Sequence, residues 1–444
     1  MRPAWKWLAA TLLALAAGAG AQEERAIDNA AGVGVRAMGM GGAYLAVAEG
    51  LSAIYWNPAG LAQSAAGEVH VDFVRQSLSN DATLGTTRSS ADLSNTRFGS
   101  LGVVFPFPVY RGSLVMAAGI HRIKDFDWAL RTSGFLPADS LQADDTFTHE
   151  GGVNLASVAG AVDVSPSVSL GLSLSFLTGE DRSASEFVST DTQDYFLERR
   201  FLDRESFLDE YDNGVTATFG VLVRAPRDRP KLRLGATATT GATHLVRYTF
   251  RAPPADRFTL VEYDDGTVQQ NASQTWRDTY RISLPLEFGV GAAYSPVPDL
   301  LLAASAHLAE WSQTEYDGRD DFGLRANAAF DTQYHDAVRY HLGAEWQVPA
   351  VALDLRLGFY TDPLPFAGPR DPDLLPDPVT NPVVLVKQDR RYWTAGAGLL
   401  VDEAVRIELA WNRGTYERVE GTGSSGLREA VTTHRAFLGM TYAF

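Results

Sequence analysis

The chain has 444 residues, a formal net charge of −16 and a sequence pI of about 4.9. That balance excludes nucleic acid as a partner, because phosphate binding needs a basic surface. It contains no cysteine, which removes thiol chemistry and Cys-based metal sites.

Residues 1–21 read as a secretory signal peptide. Arg2 and Lys6 form a basic start, Leu8 to Ala17 an apolar run, and Ala19-Gly20-Ala21 a small-residue cleavage site before Gln22. The apolar run is too short for a spanning helix, so the mature chain is expected outside the cytoplasm. Residues 22–66 contain the stretch Gly34 to Leu61, too Gly-rich for a long helix and too apolar for a solvated loop. Gly39, Gly41 and Gly42 allow close backbone approach. Ser52 is a candidate N-cap for a short helix carrying Ile54, Tyr55 and Trp56, which Asn57-Pro58 ends. Such a segment needs a hollow to sit in.

No later stretch has the roughly 18 consecutive apolar residues of a spanning helix, although 45% of the chain is hydrophobic. From Gly67 on, the pattern is alternation, the strand period. Leu170, Leu172, Leu174 and Phe176 alternate with Gly171, Ser173 and Ser175, and Leu353, Leu355, Leu357 and Phe359 with Asp354, Arg356 and Gly358. One face is apolar, and the other is Gly, Ser, Thr and charge. Fourteen such segments are predicted, at 67–78, 95–107, 110–126, 148–163, 167–182, 211–225, 231–250, 274–295, 299–316, 333–348, 350–361, 388–401, 404–418 and 429–444.

The connections alternate long and short without exception. Long gaps at 79–94, 127–147, 183–210, 251–273, 317–332, 362–387 and 419–428 are interleaved with tight ones such as Ser165-Pro166, Pro349 and Asp402-Glu403. A transmembrane barrel does this, with short periplasmic turns and long outer loops; a soluble all-β protein leaves both the alternation and the apolar outer faces unexplained. Leu438, Met440, Tyr442 and Phe444 form an alternating terminal strand that ends on an aromatic. Tyr294, Trp311, Trp346, Trp393 and Trp411 suit interfacial belts. The expected fold is therefore all-β: a transmembrane antiparallel barrel of about fourteen strands (67–444), its lumen plugged by residues 22–66.

The opening stretch, with this barrel, resembles the FadL-type family of bacterial outer-membrane transporters for hydrophobic compounds. The matching residues are Arg36-Ala37-Met38-Gly39-Met40-Gly41-Gly42-Ala43, Val47-Ala48, Ser52-Ala53 and Asn57-Pro58-Ala59-Gly60-Leu61. The resemblance implies that this segment is a hatch and makes Arg36, Gly41, Gly42, Asn57, Pro58, Ala59 and Gly60 its plug and gate residues. Members carry paired acids before the Ser-Ala, where this chain has Glu49-Gly50-Leu51. The family's third strand kinks inward to open the wall; Gly119 and His121 are the candidates here. Relatives include fatty-acid and aromatic-hydrocarbon channels and shuttle barrels of type IX secretion.

No catalytic constellation, cofactor site or metal site is identified. The eight His are scattered, and HExxH, Gly-x-Ser-x-Gly and phosphate-loop patterns are missing. The acidic clusters at Asp144-Asp145, Asp264-Asp265 and Asp317 to Asp321 read as solvated outer loops. In the gap 183–210, Leu197, Phe201 and Leu208 recur at helical spacing beside Arg200 and Arg204. The facing gap offers Phe258, Leu260 and Tyr263. These are the candidates for the outer mouth where substrate enters, with an Arg placed to hold a carboxylate; capping of the barrel is the equal alternative. Glu287, His307, Glu345, Arg356, Arg406 and Glu408 are expected on the lumen face, lining a path or forming an ion-pair ladder. The expected function is passive uptake of hydrophobic small molecules, fatty acids or hydrocarbons, across the bacterial outer membrane. The alternative is a non-transporting scaffold that binds exported proteins. Expected partners are outer-membrane lipid, the cargo and, through Phe444, the barrel-assembly machinery; the chain is expected as a monomer.

Overall fold

Apolar side chains on alternate strand positions must face something apolar, and here they face outward. Leu170, Leu172, Leu174 and Phe176 are exposed, whereas Ser169, Ser173 and Ser175 between them are buried. This inversion of the soluble-protein pattern fits a wall standing in lipid. The computed structural model describes residues 30–136, 141–225, 231–254, 257–317, 327–328, 330–349, 351–369, 383–402, 404–421 and 426–444. The predicted signal peptide, 1–21, lies outside the described residues.

Among the described residues, fourteen strands form a closed antiparallel barrel. They are β1 (Glu68–Leu84), β2 (Thr87–Phe107), β3 (Leu114–Asp125, resumed at Trp128–Leu136), β4 (Leu141–Ser165), β5 (Val168–Asp191), β6 (Glu198–Ala225) and β7 (Leu232–Thr239 and Ala242–Ala252). The second half comprises β8 (Gln274–Leu284 and Glu287–Val297), β9 (Leu300–Ala309), β10 (Ala337–Val348), β11 (Leu353–Asp362), β12 (Val383–Val401), β13 (Val405–Glu420) and β14 (Leu427–Ala443). Each strand pairs with its sequence neighbour, and β14 pairs with β1 from Glu68↔Ala443 to Leu84↔Leu427. Closure leaves no sheet edge in lipid at this seam.

Several predicted long loops are strand instead. β4, β5 and β6 run 25, 24 and 28 residues, far beyond the roughly 9–11 that cross a bilayer. The predicted loop 79–94 is the outer part of a hairpin that turns at Gly85-Thr86. Above the lipid, the outer face switches to polar residues such as Ser90, Asp92 and Ser94. The hydrophobic signal fades there, while the ladder hydrogen bonds continue. For the same reason the helix expected around Leu197, Phe201 and Leu208 does not form: residues 200–211 pair in register with β5, so Phe201 and Leu208 fall on opposite faces. The predicted strands 231–250 and 274–295 each break once, at Thr240-Gly241 and Pro285-Leu286; Pro285 has no N–H for a ladder. Strand 299–316 ends at Ala309. Trp311 then folds inward in a 3-10 helix and is buried, not in the interfacial belt, with the Lys124 ammonium 5.2 Å from its ring centre. Tyr294, Trp346, Trp393 and Trp411 do face outward, all exposed.

The interior is filled. Residues 30–66 lie in the lumen and build one apolar cluster with the inner wall, including Met40, Tyr44, Ile54, Leu61, Tyr360 and Phe437. A second cluster, including Phe126, Tyr211, Ile282, Trp311, Phe330 and Tyr334, lies on the outer side.

Candidate functional site: the lumen and its N-terminal segment

The segment contains α1 (Val35–Gly39), α2 (Ala53–Trp56) and a 3-10 helix (Pro58–Gln63). Ser52 precedes α2 but makes no cap; its hydroxyl donates to Glu49 O at 3.4 Å. Asn57 is the polar centre. Its Oδ1 accepts from the Ala59 N–H (3.1 Å), and its Nδ2 donates to Leu45 O (2.8 Å) and to Val221 O of β6 (3.1 Å). Asn57, Ala59 and Leu61 are fully buried. Pro58 occupies the first turn, where a missing N–H costs nothing.

Close approach explains the glycines. Gly41 has φ 64°, and a Cβ there would lie 2.7 Å from Phe359 N. On Gly42 a Cβ would meet His341 and Trp56, and on Gly60 the Ala48 carbonyl. The wall reciprocates with inward glycines that the sequence reading passed over. A Cβ on Gly220 would sit 2.2 Å from Asn57 Oδ1, one on Gly235 2.3 Å from Leu45 O, and one on Gly343 2.4 Å from Met40 O. The signal available was glycine on the small face of an alternating strand, where backbone meets backbone.

Arg36 ties the segment to the wall. Its Nε and Nη2 donate to Glu345 Oε2 (2.7 Å) and Oε1 (2.6 Å), and its Nη1 to Glu49. Burial works against this charge, but Glu49 and Glu345 outweigh it and hold the guanidinium well above its ordinary range. Arg356 continues the chain of pairs, with Nε to Glu345 (2.7 Å) and Nη1 to Glu408 (2.8 Å), and Arg406 reaches Asp354 at 2.6 Å. Four of the expected lumen residues, Glu345, Arg356, Arg406 and Glu408, therefore form one ion-pair ladder. His307 instead joins a ring column, 5.6 Å from Trp56 and 5.0 Å from His341. Glu287 stands apart from the ladder.

The outer-mouth candidates divide. Phe201, Phe258 and Val261 are buried together with Tyr263 beside them, and the Phe201 and Phe258 rings lie 4.7 Å apart. Leu260–Tyr263 pairs with β6, Leu260 opposite Leu202. Leu197 stays exposed and Leu208 points outward. Both arginines are paired at the surface: Arg200 donates to Glu262 (3.0 Å) and Arg204 to Glu186 (2.6 Å). Hydrogen bonds from Arg199 and Arg200 hold the Glu262 carboxyl below its usual range.

The wall itself opens between β2 and β3. Their ladder ends at Ser100↔His121, the second of the two expected kink residues; the first, Gly119, is regularly paired with Gly102. A bulge follows between Arg122 and Lys124. From His121 to Leu130 every residue is buried except half-buried Lys124. Burial on both faces means that this stretch has left the wall for the lumen. Ala30 bridges Lys124, and the Ala31 N–H donates to Ile123 O at 2.9 Å. Across the opening, Asn95 Nδ2 and Arg97 Nη2 of β2 donate to Asp127 at 2.7 and 2.9 Å.

A closed fourteen-strand barrel with a lipid-facing apolar wall and a folded segment in its lumen is the fold of the FadL-type barrels. The solved structures that share the fold include the following three. A FadL homologue from Pseudomonas aeruginosa is 14% identical with a TM-score of 0.60, covering 94% of this chain and 100% of its own. The toluene transporter TodX from P. putida is 13% identical at 0.59, covering 93% and 99%. The toluene transporter TbuX from Ralstonia pickettii is 14% identical at 0.54, covering 94% and 99%. The chain belongs to the BamG family, whose model matches residues 29–352. This is an outer-membrane barrel family, and the protein resides in the bacterial outer membrane. No curated protein matches the sequence.

Proposed function

We propose that the protein is a passive channel carrying hydrophobic small molecules inward across the outer membrane, with residues 22–66 as its plug. The observation that carries this reading is the departure of β3 from the wall at His121, which parts β2 from β3 beside a lumen lined by Phe126, Trp128 and Leu130. The names of the structural neighbours, toluene transporters among them, support the cargo class. Cargo passes the outer mouth, meets the apolar cluster outside the plug, and leaves by the β2–β3 opening or past the Asn57-Pro58 turn. The buried ion-pair ladder holds the plug and does no covalent chemistry.

The test is uptake of long-chain fatty acid and of toluene by a deletion strain, with the barrel restored from a plasmid. Slower uptake that the plasmid rescues is expected. Unchanged uptake, with exported proteins stalled in the periplasm, would overturn this reading in favour of a scaffold.

A further inference from the structure

The outer wall of β12, β13, β14 and β1 carries a row of cations that the channel reading does not use. Trp393 and Trp411 face outward at the upper border of the apolar band, the height at which indole rings meet headgroups. Two residues further out on the same strands and the same face stand Arg391 and Arg413. Two residues beyond Phe73 on β1 stands Arg75, with His434 of β14 between, paired in register with Arg413 and stacked on Trp411 at 5.7 Å. Among the described residues no carboxylate pairs with Arg391, Arg413 or Arg75. Arg75 donates only to Thr96 Oγ1, at 3.3 Å. Of the acids on this face, Glu417 is paired with Arg428 (3.6 Å), and Asp389 accepts from the Leu364 N–H (3.2 Å) without pairing to any of the three arginines. In a chain of net charge −16, three arginines at one height with no carboxylate in contact mark a place for an anion.

A second feature adjoins them. Below Trp393 a groove of about 640 Å³ crosses the lipid face from β12 back to β7. Leu342 and Phe359 wall it on one side, Leu302 and Leu357 on the other. Its floor is small, formed by Ala303, Gly343 and Gly358, because these positions are where the plug backbone presses from inside. Six strands about 4.8 Å apart make it roughly 24 Å long, the reach of a long acyl chain.

We propose that this face holds one outer-leaflet lipid, its phosphate on Arg391, Arg413 and Arg75 and an acyl chain in the groove. Charge selects the headgroup, since guanidinium matches phosphate oxygens in pairs. The groove selects a chain over bulk lipid by offering walls on two sides.

The test is titration of the purified barrel in detergent with diphosphoryl lipid A and with the same lipid stripped of phosphate, bound lipid being counted by native mass spectrometry. The Arg75→Gln, Arg391→Gln, Arg413→Gln triple variant and, separately, Ala344→Trp, which fills the groove, are each expected to bind at least tenfold more weakly. Arg182→Gln, exposed on the outer part of β5 and away from this face, is expected to bind as the parent does. Heat-dependent gel migration verifies that each variant is a folded barrel. Equal binding of the dephosphorylated lipid, or undiminished binding by either test variant, overturns the proposal, as does a polypeptide found in place of lipid on the face.

Discussion

Glu345 serves two guanidiniums at once, Arg36 of the N-terminal segment and Arg356 of β11, with 4% of its surface exposed. Removing such a centre leaves two buried cations facing each other, and breaking a buried pair costs on the order of 3–5 kcal/mol. Glu345→Ala is therefore expected to lower the temperature at which the barrel loses its compact gel migration. Arg36→Met in that background should recover part of the loss; no recovery would mean that Arg36 is not held there. Asn57 belongs to a different class, because its side-chain bonds fix the N-terminal segment and not the strand ladder. Asn57→Ala with Pro58→Ala leaves the Leu45 and Val221 carbonyls short of a donor, at about 1–3 kcal/mol for each group left unsatisfied. The barrel should still assemble while a hydrophobic dye enters cells faster. Failure to assemble would make the segment structural. Asn57 and Arg36 stood out in sequence because their motif is contiguous. Gly220, Gly235 and Gly343 did not, because their meaning depends on which backbone the register brings opposite.

At the scale of elements, the number and order of the strands were legible because lipid forces alternation wherever it touches the wall. What lipid does not touch was not legible. The outer halves of β4 to β6 satisfy their backbone with ladder bonds under polar sequence, which reads as loop or, around Phe201, as helix. The opening at β3 was legible only in part: the ladder to β2 ends at His121 as expected, but Gly119 stays paired and packs under Leu51, and the Arg122–Lys124 bulge that follows carries no sequence signal. Asp127 closes that opening through Asn95 and Arg97. Asp127→Ala is expected to raise uptake of hydrophobic solute several-fold without changing the amount of barrel, measured by a fluorescent fatty acid; unchanged uptake would separate the opening from the path. The outer ends of β4 and β6, above the lipid band, carry their own signature. Burial pushes the Glu205 carboxyl up to about 7, with Asp203 adding to the rise, and burial likewise pushes Asp145 up to about 7. A carboxyl raised in the folded state keeps its proton there more tightly than when unfolded. Its contribution to stability is thus present at low pH and is lost as pH rises through about 7. Amide exchange in residues 141–147 and 200–207, corrected for its intrinsic pH dependence, should be slower at about pH 5.5 than at about pH 8.

At the scale of the molecule, everything depends on closing the sheet, because a strand edge in lipid leaves several kcal/mol of unsatisfied backbone per group. The closing seam is the pairing of the first strand with the last. It ends where Phe444 N donates to Gly67 O (2.9 Å) and Gly67 N to Phe444 O (3.2 Å). The Phe444 ring lies over Gly67, where an added Cβ would come within 2.6 Å of it, and its outer side remains exposed at the periplasmic border. This residue therefore does two things: it completes the ladder and presents an aromatic at the interface through which the barrel enters the membrane. Deleting Phe444 removes both, whereas Phe444→Ala keeps the backbone pair and removes only the ring. If the ring serves insertion, both variants should fall in outer-membrane level relative to the parent, with unfolded chain accumulating in the periplasm. If the ladder alone matters, Phe444→Ala should insert normally and only the deletion should fail. Normal levels for both would show that the seam closes without its last pair and that the terminal aromatic has no part in assembly.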